Sequence, residues 1–222
     1  MHDHFPLPDL ARALLPHAFD TQDGAHDTAH LLRVWRNVER IARVEGGETR
    51  ILLAATLLHD CVWVDKGAPD RPLASRMAAA RARAVLASLG WDDAAVSRVC
   101  HAIEAHSFSA GITPDSLEAK ILQDGDRLDA MGHVGIARCM YLAGARGTSI
   151  CHATDPAARA RPLDDGAYAL DHFRTKLLGL GDGMQTRTGR AMASARAATL
   201  RDFYDGLLAE LGAESGADRD GA

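Results

Sequence analysis

Apolar positions along the chain recur every three or four residues rather than every two, which predicts helices and no strands. Leu7 to Phe19 reads as a short first helix. Asp27 or Thr28 caps a longer one that runs to about Glu45 and is closed by Gly46 and Gly47. Its apolar stripe is Val34, Val38 and Ile41, and His30, one turn before Val34, projects from the same buried face. The next helix starts at Thr49 and extends from Ile51 to about Cys61. Its body, ILLAATLL, is apolar nearly all round, as a central buried helix should be. Residues 63–73 hold Lys66, Gly67, Pro69 and Pro72 and read as a loop. Ser75 to Leu89, stopped by Gly90, and a helix capped by Asp92 and ending near His106 come next. A turn over Ser107 to Pro114 leads to one long helix from about Ser116 to Ala143. Residues 144–166 form an extended loop, and helical pattern resumes at Tyr168 to Leu178 and Thr188 to Leu211. No repeat is present. The fold class is all-α, one domain over residues 1–222, with a core over about 20–145, C-terminal helices over about 167–211 and a disordered tail at 213–222.

Composition narrows the function classes. Only 5% of residues are aromatic, and the formal net charge of −5 gives no basic surface for nucleic acid. The four cysteines, Cys61, Cys100, Cys139 and Cys151, are too far apart for a CxxC pair or zinc ribbon and read as free thiols of a reducing compartment. No stretch reaches the roughly 18–20 apolar residues of a membrane span, and the first residues lack a basic region followed by an apolar run. The expectation is a cytoplasmic protein, monomer or homodimer, with neither membrane nor nucleic acid as a partner.

The sharpest anomaly is His59-Asp60, a titratable pair at the end of an otherwise apolar helix. A buried carboxylate needs a compensating charge, and a cation held by imidazole and carboxylate supplies one. His30 lies one helix earlier. A third acidic source is the run Asp124-Gly125-Asp126-Arg127-Leu128-Asp129. Helical periodicity alone does not choose among Asp124, Asp126 and Asp129.

The spaced set H…HD…D resembles that of the HD-domain metal-dependent phosphohydrolases, and within them the small bacterial YedJ/YpgQ-like proteins. The segments that carry the likeness are His26-Asp27-Thr28-Ala29-His30 with Arg33-Val34-Trp35, Leu57-Leu58-His59-Asp60 with Lys66, Arg71 and Ser75, His106-Ser107-Phe108-Ser109, residues 121–130, and His172-Phe173 with Lys176-Leu177-Leu178. The likeness spans about residues 20–211. It implies an all-α HD-domain helical bundle with a C-terminal helical extension. It also implies one divalent ion (Mn, Mg, Fe, Co or Zn) held by His30, His59, Asp60 and Asp126, the last through the register Gly125-Asp126-Arg127-Leu128-Asp129. Gly125 stands where relatives usually carry alanine.

The implied activity is hydrolysis of a phosphorylated small molecule, most specifically of a nucleoside triphosphate to monophosphate and pyrophosphate, by a metal-activated water. His59, Asp60 and His106 are the candidate catalytic residues. His106 follows Val99 and Ile103 on the buried face of its helix, whereas His101 lies on the polar face. Lys66, Arg71, Ser75, His26 and Lys176 are the candidate substrate contacts, the two loop cations lying six and eleven residues after Asp60. Two alternatives share the HD fold, a non-catalytic nucleotide- and metal-binding regulator and a di-iron oxygenase. The second needs further histidines, and none occurs between Cys61 and Cys100.

Overall fold

Residues 51–58 are all buried, and the helix that contains them, α3 (Thr49–Leu58), is the axis of the molecule's larger contact unit. The computed structural model describes residues 2–20, 27–64, 68–107 and 110–213. Around α3 pack α1 (Pro8–Leu14), α2 (Thr28–Glu45), α4 (Ala74–Ser88), α5 (Asp93–His106) and α6 (Leu117–Asp129). The most extensive pairings are α2 with α6, α4 with α5 and α5 with α6. Helix α3 has no polar face because it has neighbours on every side. The described residues contain an isolated parallel bridge, Ser149 to Tyr168, and no sheet.

Local sequence signals set several of the boundaries. Asp27 caps α2, its side chain accepting from the His30 amide at 2.9 Å, and Asp92 caps α5 by accepting from the Ala95 amide at 2.8 Å. Gly46 and Gly90 follow α2 and α4 with positive φ, as terminating glycines do. Three expectations change. Pro16 falls in a 3-10 turn, Leu15–His17, so the first helix stops at Leu14. The third helix ends at Leu58, which leaves His59 and Asp60 on the turn beyond it. The long helix over 116–143 is two, α6 and α7 (Gly132–Ala145), because Gly132 takes φ +65°, a left-handed conformation that interrupts helix.

Contacts divide the chain into two units, Met1–Asp129 with Gln185–Gly189, and Ala130–Met184 with Arg190–Ala222. In the second, α7 packs on α8 (Ala169–Thr175), and Arg161 forks onto the buried Asp171 at 2.5 and 2.8 Å. Helix α9 (Arg187–Glu210) supplies Phe203, which stacks on Phe173 at 5.6 Å between centroids.

Gly125 has a packing reason. A Cβ built there would lie 2.6 Å from Val38 Cγ2 and 3.3 Å from the Val38 amide nitrogen, so α2 and α6 approach too closely for alanine. Gly125→Ala is expected to destabilise the fold by about 1–3 kcal/mol through overpacking. Val38→Ala in the same chain should recover most of that loss. Denaturant melts of the two single variants and the double variant check this coupling.

Candidate metal centre

Three helix termini bring imidazoles to one place, and each ring is anchored through Nδ1. His59, just past the end of α3, has Nδ1 2.8 Å from the Thr56 carbonyl. His106, the last residue of α5, has Nδ1 2.5 Å from the Ile103 carbonyl. The final turn of a helix leaves carbonyls without amide partners, and an imidazole N–H three residues on fills that role. A carbonyl only accepts, so both rings carry a proton on Nδ1, and in the neutral ring Nε2 is the lone pair left to face the cluster. His30, in the first turn of α2, has Nδ1 2.9 Å from Asp129 Oδ2. All three imidazoles are buried.

The Nε2 atoms converge with two carboxylates. His30 Nε2 and His59 Nε2 are 3.3 Å apart. Asp60 Oδ2 lies 3.7 Å from the first and 3.4 Å from the second, and Asp126 Oδ1 lies 3.7 Å from each. His106 Nε2 faces the other oxygen of Asp60, Oδ1, at 3.6 Å. The Asp60 and Asp126 side chains are 35% and 27% exposed, so the cluster is closed on its imidazole side and open on its carboxylate side. That is the access an anionic substrate needs.

Electrostatics ask for a cation. Burial opposes charging His30 and His59, yet contacts with Asp129, Asp60 and Asp126 outweigh it, and both pKa values are raised, that of His59 strongly. Burial likewise opposes the charges on Asp60 and Asp126. The facing imidazoles win, and both carboxyls are held below their usual range. The donor set fits a divalent metal. Ligand atoms about 2.0–2.2 Å from one ion stand roughly 3.0–3.6 Å from each other, close to the 3.3–3.7 Å found here. Among the described residues, the groups with that capacity are His30, His59 and Asp60, and His59, His106 and Asp126.

The three aspartates of α6 have different partners. Asp126 faces the imidazoles. Asp124 is fully buried and accepts from the Gln185 amide at 2.8 Å, the Thr186 amide at 2.8 Å and the Thr186 hydroxyl at 2.7 Å. Asp129 is held in a fork by Arg33, Nε to Oδ1 at 2.8 Å and Nη2 to Oδ2 at 3.1 Å, while it also meets His30. The sequence reading gave Asp129 only as an alternative ligand and gave Arg33 no task. The signal was present in the spacing, since each lies three residues after a candidate ligand on a helix.

The candidate substrate residues are spread differently. His26 and Lys66 lie outside the described residues. Arg71 is half-buried and donates from Nη1 to the Val64 carbonyl at 3.0 Å, bracing the segment after Asp60. Ser75 departs from expectation. It is buried, and its hydroxyl donates to the Glu104 carbonyl at 3.0 Å, so it ties α4 to α5 and keeps no proton for a phosphate oxygen. Lys176 follows α8 in the second unit and is exposed there. His101 is half-buried and accepts from the Asp115 amide at 3.1 Å.

This fold and cluster define a class. The chain belongs to the HD-domain family and is a metal-dependent phosphohydrolase: its residues 28–131 match the HD domain. It is 34% identical over 179 residues to YpgQ of Bacillus subtilis (strain 168), 79% of each chain. The crystal structure of Bacillus subtilis YpgQ in complex with ADP superposes with a TM-score of 0.67 at 30% identity, covering 95% of this chain and 97% of that one. An HD-superfamily hydrolase from Bacillus thuringiensis superposes with a TM-score of 0.69 at 26% identity, covering 93% and 98%. No helix among the described residues is long and apolar enough to cross a membrane.

Proposed function

We propose that the chain is a nucleotide hydrolase, specifically a nucleoside triphosphate pyrophosphohydrolase, with one divalent metal held by His30, His59, Asp60 and Asp126. The observation that carries the ligand set is the convergence of two Nε2 atoms, 3.3 Å apart, with a carboxylate oxygen of Asp60 and one of Asp126 that each lie within 3.7 Å of both. When bound, a divalent ion at such a site polarises a phosphoryl oxygen and activates a water. The chain's own residues do the rest. The Thr56 and Ile103 carbonyls hold the His59 and His106 rings in one tautomer. His106, its Nε2 lone pair 3.6 Å from the outer oxygen of Asp60, accepts the proton that an attacking water gives up. The buried imidazole wall excludes water from behind the site. Nucleotide is the substrate class favoured by the YpgQ complex, in which the bound molecule is ADP.

Neutralising a polyphosphate requires cations. We assign this to Lys66 and Arg71, with His26 as a further substrate contact. Arg71→Ala is expected to lower kcat/KM by about 30- to 1000-fold if the guanidinium is desolvated against phosphate, on the order of 2–4 kcal/mol. A rise in KM alone would mark ground-state binding, and a fall in kcat would mark transition-state stabilisation. Metal content should stay normal. A change under twofold would show that Arg71 only braces Val64. The function itself is tested by incubating the metal-loaded protein with a panel of nucleoside triphosphates and weighing the products. Monophosphate and pyrophosphate are expected. Turnover only of non-nucleotide phosphate esters, or none at all, would overturn the nucleotide reading.

A further inference from the structure

A metal-ligating imidazole must keep its lone pair aimed at the ion, and this depends on what its other nitrogen does. His59 and His106 solve the problem locally, each through a carbonyl three residues back. His30 cannot. It sits in the first turn of α2, where the preceding residues offer no spare helical carbonyl, and its amide is already bound by Asp27. Its Nδ1 instead meets a carboxylate 99 residues away, Asp129 Oδ2, at 2.9 Å. That carboxylate is 2% exposed and is gripped through both oxygens by Arg33, one turn after His30 on the same helix. Arg33, Asp129 and His30 therefore form a closed ring of contacts between α2 and α6, the two helices that carry the first and last candidate ligands.

We propose that Asp129 and Arg33 are positioning residues, a dyad that fixes the His30 ring with its proton on Nδ1 and its Nε2 directed at the metal. The two have distinct tasks. Asp129 orients the ring and makes it a stronger donor to a cation. Arg33 neutralises Asp129, so that the proton stays on the imidazole and the buried carboxylate is not left uncompensated. The same dyad sets the register of α6 on α2, since Asp129 is one helical turn beyond Asp126. Both oxygens of Asp129 are engaged by Arg33 and His30 Nδ1 rather than by the Nε2 cluster.

The inference rests on the metal site proposed above, and the test separates the two. Histidine side-chain nitrogens are read by NMR in the metal-free protein, and Mn²⁺ affinity is read by calorimetry, for wild type, Asp129→Asn, Asp129→Ala and Arg33→Gln. Wild-type His30 should show a single Nδ1–H tautomer. Asp129→Ala should mix the tautomers and weaken Mn²⁺ binding by about 10- to 100-fold. Asp129→Asn, which keeps an acceptor oxygen and the side-chain volume, should fall between that variant and wild type. Arg33→Gln, at a side chain 27% exposed, should fold and bind Mn²⁺ more weakly than wild type. If wild type binds no Mn²⁺, the metal site itself is wrong. If wild type binds and all three variants match it with His30 unchanged, the positioning role is wrong.

Discussion

Asp60→Ala is expected to lose the metal and the hydrolytic activity while the protein folds normally. Asp60 Oδ2 stands 3.4–3.7 Å from both His30 and His59 Nε2, so its removal takes one of the four donors and half of the negative charge that offsets an ion there. A catalytic metal contributes several kcal/mol of transition-state stabilisation, and kcat/KM should fall by about 10³-fold or more. Stability should change little. The side chain is 35% exposed and lies on a turn beyond α3, so no cavity opens and the eight buried residues 51–58 are untouched. Metal analysis, turnover and a thermal melt on one preparation check the three statements together. Normal metal content with normal turnover would remove the ligand assignment.

The second large effect distinguishes two aspartates two residues apart. Asp126→Asn is expected to weaken metal binding strongly and leave the melt nearly unchanged, because this carboxylate faces the imidazoles and is 27% exposed. Asp124→Asn is expected to do the reverse. Its three acceptor contacts fasten residues 185–186, just before α9, to α6, and it is fully buried. An amide in its place turns an NH₂ group toward backbone N–H donors. The cost is about 2–4 kcal/mol of stability, with metal affinity retained in the folded fraction. Calorimetric metal titration and denaturant melts of both variants read the crossover. Loss of metal in Asp124→Asn at full stability would move the last ligand to position 124.

Those two residues also mark how far the sequence could be read. Periodicity, two capping aspartates and the stop glycines Gly46 and Gly90 are local signals, and they placed α2, α4 and α5 to within a residue or two. His30 and His106 were readable as inward-facing because each is in register with the apolar stripe of its helix, and His59 because it ends a helix that is apolar nearly all round. What was not readable depends on partners far along the chain. Asp124, Asp126 and Asp129 are equivalent by composition and differ only through Thr186, the imidazoles and Arg33, between 62 and 96 residues away for the first and last. Gly125 and Gly132 show the same limit. Both lie in one predicted helix, yet Gly125 stays helical, packed closely against Val38, and Gly132 breaks the helix with a positive φ. Ser75 was grouped with the loop cations by resemblance, and only the position of α5 shows that its hydroxyl is directed to Glu104.

The central claim is that one divalent ion sits between α2, the end of α3 and α6. The measurement that tests it most directly is a crystal structure of the protein soaked in Mn²⁺, with the ion located by its anomalous scattering. The account predicts one strong peak bonded to His30 Nε2, His59 Nε2, Asp60 and Asp126 at roughly 2.0–2.2 Å, with Asp129 still on His30 Nδ1 and Asp124 still on Thr186. A crystal with no peak among these four side chains, or with the ion held by Asp124 or Asp129 instead, would contradict it.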